Sequence, residues 1–346
     1  MEHIGRYFIS NSHAPSSEFI KRLEELIDGK NIPLIRADRF DPIVRNDPEM
    51  KAPAEPIESY IERHSDVIFQ IGEFINPKAV ELAKQYKNVR VVSSSLMYDE
   101  QSYQLITDCL EDRFYYLPWW ATWYTFWQDN YWQESYTKKP YMFDILMFQR
   151  KPERSLLFDQ IVNCELEPIS IMTYHGEYPE YSRQWDHINH PRIDDVINYG
   201  STTLHVDEPG TFSSLIPTEI YKNSHFSIVA ETTVDGNRYA ITEKTGKVLT
   251  AGRLTVWVAV WQFVDHLRSL GFDVFDDVID HSYDNIKNSN ERISAAVQSA
   301  RALACEDPKR VFDHTHKRRL ENRKLAQHYH HNQAQEAERV FAKWFN

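Results

Sequence analysis

Short apolar runs alternate with stretches of helical periodicity from one end of the chain to the other. RYFISN (6–11), PLIRA (33–37), VIFQI (67–71) and VRVVS (89–93) read as strands rich in β-branched residues. Between them, apolar positions 20, 23, 26 and 27 give residues 18–27 one helical face, and residues 77–86 form a second helix. The second half repeats the alternation. YMFDILMF (141–148), residues 169–174, FSIVA (226–230) and LTVWVAV (254–260) are strands; 155–162, 261–270 and 290–304 are helices. Residues 39–56, rich in proline and charge, form a loop. Residues 307–346 make one or two helices. Strands that alternate with helices predict parallel α/β sheets.

Length adds a domain count. At 346 residues the chain exceeds one typical domain, so two Rossmann-like domains facing a cleft are expected. The boundaries fall at 1–140, 141–306 and 307–346, the last a helical tail. No run approaches the roughly 20 apolar residues of a membrane helix. MEHIGRYFISNS carries no basic leader with an apolar segment behind it. Cys109, Cys164 and Cys305 are odd in number and far apart, which fits reduced thiols. A soluble protein of the cytoplasm is expected.

The net charge of −12 does not advertise a polyanion partner for the whole chain, although it leaves room for a local basic groove. The basic tail (HKRRLENRK, HYHHN) could meet nucleic acid phosphates, but glutamates at 321, 336 and 338 interleave it and favour a solvated helix. The aromatic segment FYYLPWWATWYTFWQDNYW (114–132) reads as a packed helical pair. Its alternative is a stacking platform for a sugar or a base.

Candidate chemistry concentrates in PTEIYKNSHFSIVAETTVDGNRYAITEKTGKVLTAGR, residues 217–253. A buried strand ends at Glu231, Asp235-Gly236-Asn237 makes a turn, and Thr242-Glu243-Lys244 stands where the next helix opens. A helix start offers free N–H groups and partial positive charge to an anion; a lysine there adds a full cation, and nearby carboxylates can accept from sugar hydroxyls. Upstream, Arg150 and Arg154 flank another strand-to-helix turn, where guanidinium groups fork onto phosphate oxygens. No metal-ligand spacing and no D-x-D triplet occurs, so no metal site is expected. No G-x-G-x-x-G occurs either, which argues against a conventional dinucleotide site.

These same residues resemble the donor-binding motif of α1,3-fucosyltransferase-like glycosyltransferases, and more nearly their bacteriophage-encoded relatives. Over residues 141–305 the resemblance implies a GT-B fold and a nucleotide-sugar co-substrate used without a metal. It implies that Glu231, Glu243, Thr242 and Lys244 hold ribose and diphosphate, with Arg150 and Arg154 on the phosphates. Ala240 stands where the family places a tyrosine, and Tyr239 lies one position off. GFDVFDDVIDHSYDNI (271–286) also looks like the family and reads as structural, with Phe272 and Phe275 packed and Tyr283 anchoring a loop. A general base for the acceptor is expected from the first domain, where Glu73 and His13 follow strands and Glu73 ranks first. The function so read is sugar transfer from a nucleotide sugar to a hydroxyl, with a hydroxymethylated phage DNA base and a glycan as the two acceptor classes. The alternatives are a fucosyltransferase-like enzyme acting on glycans, and a non-catalytic protein that binds nucleotide sugars or nucleic acid.

Overall fold

The computed structural model describes residues 32, 34–36, 43–44, 55–71, 77–93, 96–97, 110–116, 131–147, 151–173, 216–235, 238–239 and 241–345. The expected strand at 6–11 and helix at 18–27 lie outside them. The chain divides into two compact units. The first comprises 1–126, 237–241 and 329–346; the second comprises 127–236 and 242–328.

The first unit holds β1 (Leu34–Arg36), β2 (Ile43–Val44), β3 (Glu55–Pro56), α1 (Ile57–Glu62), β4 (Val67–Ile71), α2 (Pro77–Gln85), β5 (Val89–Ser93), β6 (Leu96–Met97) and β7 (Phe114–Tyr116). Its sheet runs β1-β4-β5-β7, all parallel, with Phe69 opposite both Ile35 and Val91. Val67, Phe69, Val89 and Val91 pack with Ile57, Ile61 and Leu82 in one apolar cluster. β2 and β3 pair antiparallel inside the stretch expected to be loop. Phe114–Tyr116 corrects the helical expectation for the start of the aromatic segment. Aromatic side chains suit a pleated strand, and these pair with Val91–Ser93 of β5. Residues 117–130, the bulk of that segment, are outside the described set.

The second unit holds β8 (Tyr141–Leu146), α3 (Pro152–Asn163), β9 (Ser170–Thr173), α4 (Thr218–Asn223) and β10 (Ser224–Ala230). The two-residue β11 (Arg238–Tyr239) belongs to the first unit, antiparallel to β6. The second unit continues with α5 (Glu243–Thr250), β12 (Thr255–Val258), α6 (Phe263–Ser269), α7 (Ser289–Ala304) and the first part of α8 (Pro308–Phe345). Its sheet is parallel in the order β12-β10-β8-β9. From β8 the chain first goes outward to β9 and then returns to the other side for β10 and β12. The order therefore reverses between β8 and β10, a topological switch point, and open α/β sheets bind ligands at the carboxyl ends beside such a point.

Helix boundaries obey local chemistry. Asn288 caps α7, its side chain accepting from the amides of Asn290 (3.0 Å) and Glu291 (3.1 Å). Ile293, Ala296, Val297, Ala300 and Leu303 form its buried stripe, which packs on α3 and β12. α5 ends in a Schellman motif. The Arg253 amide donates to Val248 O (2.8 Å) and the Gly252 amide to Leu249 O (3.1 Å), with Gly252 left-handed at φ 59°. Within residues 271–286, Phe272 and Phe275 are buried, and the Trp257 amide donates to the Tyr283 hydroxyl (3.1 Å). The tail is one helix, α8, of 38 residues. Its Phe341 and Trp344 are buried in the first unit, where Arg90 Nη2 donates to Trp344 O (3.1 Å). No described helix is long and apolar enough to cross a membrane.

At the amino edge of the second sheet lies a buried polar cluster. Arg253 pairs with Asp144, whose Oδ2 also accepts from Ser224 (2.7 Å) and Ser227 (3.0 Å). Lys139 Nζ donates to Tyr221 O (2.6 Å), Ser224 O (2.8 Å) and the Tyr131 hydroxyl (3.3 Å). Burial, with the charges of Arg253 and Arg319 behind it, lowers the Lys139 pKa to about 6.

Candidate anion-binding site at the switch point

Parallel strands joined by helices put every helix start at the carboxyl edge of the sheet. Here that edge collects the ends of β8 and β10 and the starts of α3 and α5. Glu231 comes directly after β10 and is 1% exposed. Its Oε1 accepts from Thr245 Oγ1 (2.6 Å) and the Thr242 amide (3.2 Å), and its Oε2 from Thr242 Oγ1 (2.5 Å) and the Thr232 amide (3.2 Å). Both oxygens are thus engaged by the chain's own donors. This carboxylate, expected to hold ribose hydroxyls, pins the start of α5 to the end of β10.

Thr242 caps α5, its hydroxyl oxygen accepting from the Lys244 amide (3.4 Å). Lys244 folds back over this cap. Its Nζ donates to Thr232 Oγ1 (2.9 Å) and Thr242 Oγ1 (3.1 Å) and lies 3.3 Å from Glu243 Oε1 and 4.0 Å from Glu231 Oε2. With 24% of its side chain exposed, Lys244 keeps a face toward solvent at the helix start. The Glu243 side chain is 21% exposed. Burial acts to raise its carboxyl pKa, but Lys244 and Lys247 outweigh that and hold it below the usual range. Glu243 is therefore an anion that can accept from a hydroxyl.

Across the switch point, Lys151 occupies the cap position of α3 with extended backbone ahead of Pro152, and its Nζ donates to Thr232 O (3.0 Å). This bond ties the start of α3 to the loop after β10. Arg154, in the first turn of α3, is 5% exposed. The structure thus gathers Arg154, Glu231, Thr242, Glu243 and Lys244 onto one unit's carboxyl edge. Tyr239 lies in the first unit, where its backbone pairs with Leu96. Arg150, Glu73 and His13 fall outside the described residues. Among the described residues, no group of histidine, cysteine, aspartate and glutamate side chains could hold a metal ion.

Three contributors were not anticipated. Lys151 sits inside the R-K-P-E-R run of residues 150–154, and its place directly before an N1 proline marks it as the cap. Thr245 shares a helix face with Thr242, three residues on, so both hydroxyls can reach one carboxylate. Lys247 is 5% exposed, one turn beyond Glu243. Burial lowers its pKa to about 8, with Glu243 opposing and Lys244 reinforcing the shift.

No family model and no curated protein matches the chain. A solved structure, that of the DNA-modifying enzyme β-glucosyltransferase with and without its substrate uridine diphosphoglucose, is similar at 11% identity. The likeness covers 83% of this chain and 77% of that one, with a TM-score of 0.37. A likeness of that strength assigns neither fold nor activity to this chain, whose function must be argued from its own geometry.

Proposed function

We propose that the chain is a glycosyltransferase that binds the diphosphate of a nucleotide sugar at the switch point of its second unit and passes the sugar to an acceptor hydroxyl. The supporting observation is the convergence of Lys151, at the start of α3, and Lys244, at the start of α5, on Thr232, beside a carboxylate that ties Thr232 to the start of α5. Two helix starts and two lysines supply free N–H groups and positive charge where an anion would lie, set against the carboxylates of Glu231 and Glu243.

In the reaction, the bond from the anomeric carbon to the diphosphate oxygen breaks and its electron pair leaves with the diphosphate. The acceptor oxygen bonds to the anomeric carbon, and its proton passes to a base. Lys244, Arg150 and Arg154 stabilise charge growing on the leaving group, so no metal is required. Glu243 accepts from ribose hydroxyls, Thr242 shapes the helix start, and Tyr239 is the family-like nucleoside contact. Glu73, with His13 as second choice, supplies the base. The acceptor is a hydroxymethylated DNA base or a glycan.

The test is a thermal-shift series with nucleoside diphosphates. A ligand at a hundredfold excess over its Kd adds about 2.7 kcal/mol to a state that alone binds it. One nucleotide should raise the melting temperature of the wild type. That shift should vanish in Lys244→Ala, whose unliganded melting temperature is recorded beside it because the lysine also bonds Thr232 and Thr242. Radiolabelled sugar transfer to hydroxymethylated DNA and to glycans, run in parallel, then assigns the acceptor. A wild type that no nucleoside diphosphate stabilises would overturn the proposal.

A further inference from the structure

The loop after Glu231 is gripped from both sides. Lys151 holds Thr232 O from the β8 side; Arg292, in the first turns of α7, holds the far side. Its Nη2 donates to Val234 O, its Nε to Ala259 O (2.9 Å), and its Nη1 to Ile286 O (2.6 Å) and Lys287 O (3.0 Å). Val234 lies in the loop beyond β10, Ala259 comes directly after β12, and 286–287 precede α7. One guanidinium, 3% exposed, thus joins the outlets of two neighbouring strands to the helix behind them. Burying such a group costs several kcal/mol unless its donors are satisfied, so its position is fixed by the carbonyls it serves, and theirs by it.

We propose that Arg292 is a positioning residue for the anion site. By fixing Val234 O it sets where Thr232 sits, and Thr232 in turn carries the Lys244 and Lys151 contacts. Arg292 acts on the ligand through that loop. The functional half of this inference rests on the transferase reading; the structural half does not.

Arg292→Lys keeps a charge but replaces a five-donor fork with a point ammonium that cannot serve three segments together. Hydrogen exchange of the unliganded protein should show amides 232–235 exchanging at least about tenfold faster, with β8 and α3 unchanged. Inorganic pyrophosphate, a diphosphate without a base, should bind about tenfold more weakly by calorimetry. Arg253→Lys is the control, since that arginine is equally buried but serves the amino edge. It should lower the melting temperature without weakening pyrophosphate. Wild-type exchange at 232–235 in Arg292→Lys would overturn the inference, as would an equal loss of pyrophosphate binding in Arg253→Lys. Arg292→Gln, whose amide can still serve one carbonyl, is the second variant. If neither variant folds, Arg292 is a determinant of the fold and the inference is wrong. A wild type that binds no pyrophosphate and no nucleoside diphosphate would remove the transferase reading, while the exchange rates would still decide the clamp.

Discussion

Replacing Glu231 by glutamine changes one oxygen for an NH2 group and removes one charge, and the site's geometry says what that costs. The carboxylate accepts four hydrogen bonds, from Thr242 Oγ1, Thr245 Oγ1 and the amides of Thr232 and Thr242. If the carboxamide oxygen takes the Oε1 position, Thr242 N–H and Thr245 O–H keep a neutral acceptor. The NH2 then faces the Thr232 amide, donor against donor, and a Thr242 hydroxyl that already accepts from Lys244. One charge-assisted bond is worth roughly 1.5–3 kcal/mol and a stranded buried donor costs roughly 1–3 kcal/mol, so a loss of about 3 kcal/mol is expected. The second unit spans about 200 residues, for which 1 kcal/mol moves the melting temperature by roughly 2–4 °C. Calorimetry without ligand should therefore place Glu231→Gln about 9 °C below wild type. A carboxylate waiting for a ribose would instead lose ligand affinity and almost no stability. A melting temperature within about 2 °C of wild type would refute the bracing role.

Two further outcomes rest on local geometry. An added Cβ at Gly252 would stand 2.5 Å from Trp132 Cζ3 and 3.1 Å from Arg319 O, at φ 59°. Gly252→Ala should cost about 2 kcal/mol or more. Glu165 holds the equivalent left-handed position after α3 at φ 57°, so Glu165→Gly should gain about 1 kcal/mol; denaturant midpoints with unchanged m-values check both. The third outcome concerns pH. Lys139 titrates near 6 when folded and near about 10.4 when unfolded. Between those values the unfolded chain holds the extra proton, so this residue makes stability rise with pH, by up to about 1.4 kcal/mol per unit. Lys139→Met should flatten the melting-temperature profile between about pH 6 and 9, and profiles that stay parallel would count against the buried, neutral amine.

What could be read in the sequence was what depends on neighbours in the chain. The apolar runs of β8, β10 and β12, the stripe of α7 and the helix start at Thr242 all announce themselves within a dozen residues. What escaped depends on distant contacts. Phe114–Tyr116 is a strand because β5, more than twenty residues earlier, offers an edge. The six-residue α1 is too short to show a period. Glu231 accepts from hydroxyls 11 and 14 residues away, contacts that the motif alone could not show. Arg292 did leave a trace, since it occupies a place on the α7 stripe where an apolar side chain would be expected, four residues before Ala296.

The helix α8 leaves its last turns in the unit to which the first 126 residues belong. The bond from Arg90 to Trp344 spans 254 positions, and that from Trp344 to Asp112 spans 232. Closing loops of that length is entropically slow rather than prohibitively costly, since each doubling adds only about 0.6 kcal/mol. No single cut in the chain releases either unit whole. A fragment ending at 126 lacks Phe341 and Trp344, so its apolar face would be left open to water. Recombination that exchanges one unit for another must therefore carry two or three separate segments together, because each unit is a set of alternating segments rather than a bead that one cut frees.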